Sequence, residues 1–172
     1  MKQYLESTDE MVVTWSTMQD SGESTVEYGI DSFTLTAYGS ADLFVDSGNE
    51  KHFQYIHKVL LQNLQPNSKY IYHVGGKLGW SPEFFFKTFP NGTQWSPRIA
   101  MFGDMGNENA QSLGRLQEET QRGLYDAIIH VGDFAYDMNT DNAKVGDQFM
   151  NQIQSVAAYL PYMVCAGNHE EK

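Results

Sequence analysis

One abrupt change in hydrophobic pattern limits the fold of this 172-residue chain more than any other feature. From Met11 to Phe89, apolar, aromatic and β-branched residues come in short runs separated by Gly, Asp, Asn, Ser and Pro. The runs are Met11-Val12-Val13-Thr14-Trp15, Thr25-Val26-Glu27-Tyr28-Gly29-Ile30, the region of Leu43 to Val45, Phe53 to Leu61, Lys69 to Val74, and Phe84 to Thr88. Such short strands at close spacing predict an all-β sandwich. The stretch Pro90-Asn91-Gly92-Thr93-Gln94-Trp95-Ser96-Pro97 is polar and bounded by prolines, so a domain boundary is placed there. Beyond it the period alternates: Arg98 to Phe102 predicts a strand, Asn107 to Leu124 a helix with Leu113, Leu116 and Leu124 on one side, and Ala127 to Val131 a second strand. Asp147 to Leu160 sets Phe149, Ile153, Val156 and Leu160 at helical offsets, and Tyr162 to Ala166 predicts a third strand. Strand, helix, strand, helix, strand implies a parallel sheet with right-handed crossovers. Two domains are therefore expected, residues 1–90 and residues 97–172.

Charge and composition exclude several functions. A formal net charge of −11 argues against a nucleic-acid partner, which demands a basic face to displace counterions. The same charge repels phosphate esters, so a phosphate-handling site here needs local positive charge. With 11 Lys and Arg residues spread along the chain, bound metal is the natural supplier. No stretch approaches the roughly 20 apolar residues of a membrane span, and Met1-Lys2-Gln3-Tyr4-Leu5-Glu6 lacks the apolar centre of a signal peptide. The lone Cys165 forms no intrachain disulfide and is expected as a small core residue. Asn91-Gly92-Thr93 fits the N-glycosylation pattern, making Asn91 a candidate acceptor.

Each apolar run of the second half ends in a punctuated motif: Gly103-Asp104-Met105-Gly106, Gly132-Asp133-Phe134-Ala135-Tyr136 and Gly167-Asn168-His169-Glu170. In a parallel sheet these strand ends lie along one edge, where open α/β folds bind their ligands. Asp104, Asp133 and Asn168 would converge there, and the glycines permit tight turns and close backbone approach. Carboxylate and carbonyl oxygens suit hard cations, and a carboxylate can bridge two of them. A single Gly-Asp at a strand end is usually a structural turn; three in series point to a metal centre.

The series resembles the metallophosphoesterase superfamily, and Tyr136, three residues after Asp133, narrows the resemblance to the purple acid phosphatases, in the long, plant-like animal form. The stretch Leu64-Gln65-Pro66-Asn67-Ser68-Lys69-Tyr70 resembles the tyrosine corner of fibronectin type III domains, which the larger purple acid phosphatases carry before the catalytic domain. The resemblance implies a two-domain protein: a fibronectin type III-like sandwich over residues 1–90, lacking its first strand, then the N-terminal part of a calcineurin-like β-α-β-α-β metallophosphoesterase domain over residues 97–172. Carried over by position, Asp104 and Tyr136 bind Fe(III), Asp133 bridges, and Asn168 binds a divalent partner, Zn, Fe or Mn. His169 contacts the phosphate and protonates the leaving alcohol, a role open to an imidazole. The reaction implied is direct hydrolysis of a phosphate monoester or phosphoprotein by metal-activated water, without a covalent enzyme intermediate. Glu170 and Asp137 are open between orienting these groups and facing solvent. The family's location is secreted or lysosomal.

The family also uses three histidine ligands, in a Val-x-x-His-like stretch and a Gly-His-x-His motif, and neither pattern follows Glu170 here. The chain is thus expected to be a truncated form, holding metal weakly and inactive alone. Two other readings stand beside acid phosphatase: a non-catalytic fragment acting as an interaction module, and a generic metallophosphoesterase without an iron–tyrosinate bond. His52, His57 and His73 are expected at surface or strand positions, and His130 as a packed histidine within its strand.

Overall fold

The computed structural model describes residues 9–171. Their contacts divide the chain into two compact units, one of Met1–Val45 with Phe53–Trp95, the other of Asp46–His52 with Ser96–Lys172. No helix among the described residues is long and apolar enough to cross a membrane.

The first unit is a sandwich of two antiparallel sheets. One has the order β1-β5-β4, with β1 at Met11–Thr17, β4 at Ser40–Val45 and β5 at Phe53–Leu61. The other has the order β3-β2-β6-β7, from Leu35–Tyr38, Thr25–Gly29, Lys69–Gly76 and Gly79–Trp80, with β8 (Phe84–Lys87) also paired to β6. Period-2 alternation sends Val13, Val59 and Leu61 inward from one sheet and Val26, Tyr28, Tyr70, Tyr72, Val74 and Phe86 from the other. The Gln65 N–H donates to the Tyr70 hydroxyl at 2.9 Å, the bond that defines a tyrosine corner. His57 is buried, held by Ser24 Oγ at Nδ1 and Thr17 Oγ1 at Nε2, and stacked on Trp15. Burial pushes its pKa down, against the opposing pull of Asp20. Two strands were not expected from sequence, β3 and β7. The first lies at the sheet edge and is largely exposed, so it carries no inward-facing stripe, and the second has only two residues.

The second unit has a three-stranded parallel sheet of order β11-β10-β9, built from Tyr162–Cys165, Ala127–Val131 and Ile99–Phe102. Helices α1 (Leu113–Gln121) and α2 (Lys144–Ala157) bring Leu116, Phe149, Ile153 and Val156 onto Ile128, with Ala100, Phe102 and Tyr162 packed around them. The alternate strand residues Ile99, Met101, Val131 and Met163 are exposed. Both helices depart from their expected bounds. Helix α1 starts late and stops early because Asn109 and Gly123 adopt left-handed φ of 56° and 67°, which no helix interior accommodates. Helix α2 runs three residues ahead of the expected span at both ends; Leu160 lies beyond its end yet joins the same core.

Candidate metal centre

The parallel register brings the three motifs together. Phe102 is paired with His130 and Val131 with Cys165, so the three strands finish almost in step and their loops run side by side. The Asp104 N–H donates to Gly132 O at 3.2 Å, the Gly106 N–H to Phe134 O at 2.9 Å, and the His169 N–H to Asp133 Oδ1 at 3.1 Å. Two glycines permit this closeness. A Cβ on Gly132 would lie 2.6 Å from Gly167 Cα, and one on Gly167 would lie 2.2 Å from Asp133 Oδ1.

Asp104, Asp133 and Tyr136 all take left-handed backbone, with φ of 55°, 51° and 54°. Each costs of order 1–3 kcal/mol, strain that persists only where the surroundings impose it and that gathers at ligand sites. The Tyr136 hydroxyl donates to Asp104 Oδ1 at 2.9 Å. That hydrogen bond, with lesser help from desolvation and from the Asp104 and Asp133 charges, raises the phenol's pKa. The same separation suits metal coordination, because two ligands at right angles and about 2.1 Å from one ion are about 3 Å apart. The pair therefore fits a hard cation with little movement once the phenol proton leaves. Asn168 opens a 3-10 turn, Asn168–Glu170, and is exposed. Among the described residues no three His, Cys, Asp or Glu side chains form a metal-holding group.

His169 is half-buried and its ring meets that of Tyr136 edge-on at 4.8 Å. Its Nδ1 lies 3.0 Å from Asp137 Oδ1. A carboxylate accepts, so Nδ1 carries the proton in this bond and Nε2 is the nitrogen left for other chemistry. Glu170, which sequence left open between orientation and solvation, is turned inward: its carboxylate accepts the N–H groups of Asp133 and Gly167 at 2.8 Å each and of Phe134 at 2.9 Å. Burial alone pushes the Glu170 carboxyl up, and the three N–H donors outweigh it, holding it below the usual range. Half of this was visible in sequence, since Gly-x-x-Glu has the spacing of a capping carboxylate. The other half crosses between loops.

His130 is fully buried beneath these loops, ringed by Phe102, Phe134, Phe149 and Tyr162, with Nδ1 2.8 Å from the Tyr162 hydroxyl. Burial lowers its pKa, while Glu170 and Asp104 pull the other way. Cys165 is exposed, not a core residue: it shares with Met163 the strand face turned from the helices. Asn91 is exposed in the segment after β8.

Known proteins agree with this architecture. Residues 2–88 match the purple acid phosphatase N-terminal domain and residues 97–172 the calcineurin-like phosphoesterase domain. The chain belongs to the purple acid phosphatase family. It is similar to acid phosphatase type 7 of Danio rerio, 52% identical over 93% of this chain and 37% of that protein, and to acid phosphatase type 7 of Homo sapiens, 48% identical over 94% and 37%. Among solved structures, the purple acid phosphatase PPD1 of yellow lupin seeds superposes with a TM-score of 0.78 at 30% identity, over 96% of this chain and 34% of that one. The chain thus spans little more than a third of the length of these proteins.

Proposed function

We propose that this chain supplies the ligand platform of an acid phosphatase that hydrolyses phosphate monoesters at a dinuclear metal centre. The observation that carries the reading is the Asp104–Tyr136 pair, a carboxylate and a phenol held 2.9 Å apart on strained backbone at the shared strand edge. In this reading residues 1–90 form the family's N-terminal domain and residues 97–172 the first part of its catalytic domain. Asp104 and Tyr136 would hold Fe(III), Asn168 would hold the divalent ion, Zn, Fe or Mn, and Asp133 would serve both. The metals, when bound, supply Lewis acidity, lower the pKa of water and neutralise charge developing on the phosphoryl group.

The chain's own residues do the rest. Asp104 and Asp133 bring two carboxylates to one place beside the Tyr136 phenol, at a cost in mutual repulsion that cations relieve. Asp137 holds Nδ1–H of His169 and so aims Nε2 at the substrate; with Nε2 also protonated, the imidazolium can hydrogen-bond the phosphate and pass the Nε2 proton to the leaving alcohol. The Tyr136 ring borders that imidazole and restricts its motion. With a net charge of −11, the protein surface itself does not attract an anionic ester. A small phosphate monoester or a phosphoprotein is the substrate class.

Titration of the chain with Fe(III) tests the reading. A visible tyrosinate-to-iron band is expected, absent in Tyr136→Phe and weakened in Asp104→Asn. No band in the wild-type chain, or an unchanged band in Tyr136→Phe, would refute the ligand assignment and favour a generic metallophosphoesterase site.

A further inference from the structure

We infer that Glu170 is a positioning residue that sets the distance between the second and third ligand loops, and through it the divalent metal site. The inference rests on the reading of Asp133 and Asn168 as ligands of that metal. As a capping residue, Glu170 would need only the N–H of Gly167, the residue that caps its own turn. It does more than cap. Its Oε2 is shared between the Gly167 N–H and the Asp133 N–H, and its Oε1 takes the Phe134 N–H, so one carboxylate joins a donor three positions away to donors 36 and 37 positions away in the chain.

Two of those donors flank the Asp133 side chain's own backbone. The third belongs to the residue preceding Asn168. The His169 N–H returns the connection by donating to Asp133 Oδ1, so the two loops are tied in both directions. The glycine contacts show how little slack this leaves, because a Cβ at Gly167 would overlap Asp133 Oδ1 and would lie 2.6 Å from the Asp133 nitrogen. Holding the Glu170 carboxylate this near the Asp133 side chain works against the repulsion between the two carboxylates. Charge-assisted bonds to a single carboxylate supply the opposing attraction, and such bonds are about twice as strong as neutral ones. Asp133 and Asn168 would thus be held ready for a metal before it arrives, at the separation the clamp dictates.

Substituting Glu170→Gln keeps the size but replaces one oxygen by an NH2 group that opposes an N–H donor. Two readouts on the whole chain test the inference: hydrogen exchange at the amides of Asp133, Phe134 and Gly167, and affinity for Mn(II) followed by the electron paramagnetic resonance of the free ion. Glu170→Gln is expected to speed exchange at those three amides, leave exchange at Ile128 and Ile153 unchanged, and weaken Mn(II) binding about 10–100-fold, the usual effect of losing a group that orients ligands. Glu170→Asp, which keeps the charge on a shorter stem, should fall between, and it carries the test if the glutamine variant does not fold. Mn(II) affinity within twofold of wild type in the variant, or unchanged amide exchange, overturns the inference. Asp133→Asn separates the two levels: if it leaves Mn(II) binding intact, the ligand reading itself is wrong and the inference falls with it.

Discussion

Gly167→Ala tests the close approach of the loops most directly. Gly167 has φ −102° and ψ −169°, a conformation alanine adopts freely, so the substitution adds volume without backbone strain. The added Cβ would lie 2.2 Å from Asp133 Oδ1 and 2.6 Å from the Asp133 backbone nitrogen. Non-bonded carbon and oxygen ordinarily stay about 3.3 Å apart, so a displacement of about 1 Å is required. Rotating the carboxylate away would relieve the first contact but forfeit the 3.1 Å bond from the His169 N–H, about 1.5–3 kcal/mol for an ionised acceptor. It would not relieve the second, because the nitrogen belongs to the backbone. The loops must therefore part, and with overpacking costing about 1–3 kcal/mol, the second unit should lose about 2–4 kcal/mol in total.

The structure supplies separate probes for the two units. Trp15, Trp80 and Trp95 all belong to the first, whereas α1 and α2 both belong to the second. In a urea titration the helical circular dichroism transition should move down by about 1–2 M for a unit of this size, while tryptophan fluorescence stays in place. Gly114→Ala serves as the opposite control: it lies inside α1 with no atom within 4 Å of the added Cβ, and should stabilise the same transition by about 0.5–1 kcal/mol. A Gly167→Ala midpoint within about 0.5 kcal/mol of wild type would refute the proposed tightness of the loop contact.

Other measurements address other parts of the molecule. Tyr70→Phe removes the corner bond to the Gln65 N–H and should cost the sandwich about 1 kcal/mol, seen in tryptophan fluorescence and not in the helical signal. His57 and His130 are both buried with lowered pKa, so the unfolded chain binds protons more readily than the folded one. Their contribution is complete above the ordinary value of 6.5 and is lost as pH falls through the lowered folded values; denaturation midpoints should drop on acidification, and His130→Phe should flatten that drop in the helical transition. Fe(III) affinity should fall with pH because the Tyr136 phenol, raised by its bond to Asp104, must lose its proton on binding; Tyr136→Phe should bind with one proton fewer released.

Much of the fold was legible because it rests on periodicity. The three strands of the parallel sheet and the buried stripe Phe149, Ile153, Val156 are places where burial leaves a repeating mark on the sequence. The helix ends were less so: Asn109 and Ala143 reach left-handed φ without being glycine, Gly123 does so in a local turn bonded back to Thr120, and the exposed edge strand Leu35–Tyr38 has little buried side to advertise it. Cys165 was misjudged by a related omission: an apolar strand was read as buried on both faces, whereas the face that carries Cys165 and Met163 is open.

For the metal platform the division is sharper. Sequence alone determined which donors are present and that they stand at strand ends, because Gly-Asp and Gly-Asn-His punctuation is local chemistry. Only the tertiary structure decided how those ends meet: the parallel register that sets the loops abreast, the 2.9 Å between Tyr136 and Asp104, and the inward turn of Glu170 onto amides of two loops. Apart from the local bond between Glu170 and Gly167, these are contacts across 32 to 37 residues of chain, beyond the reach of any local pattern.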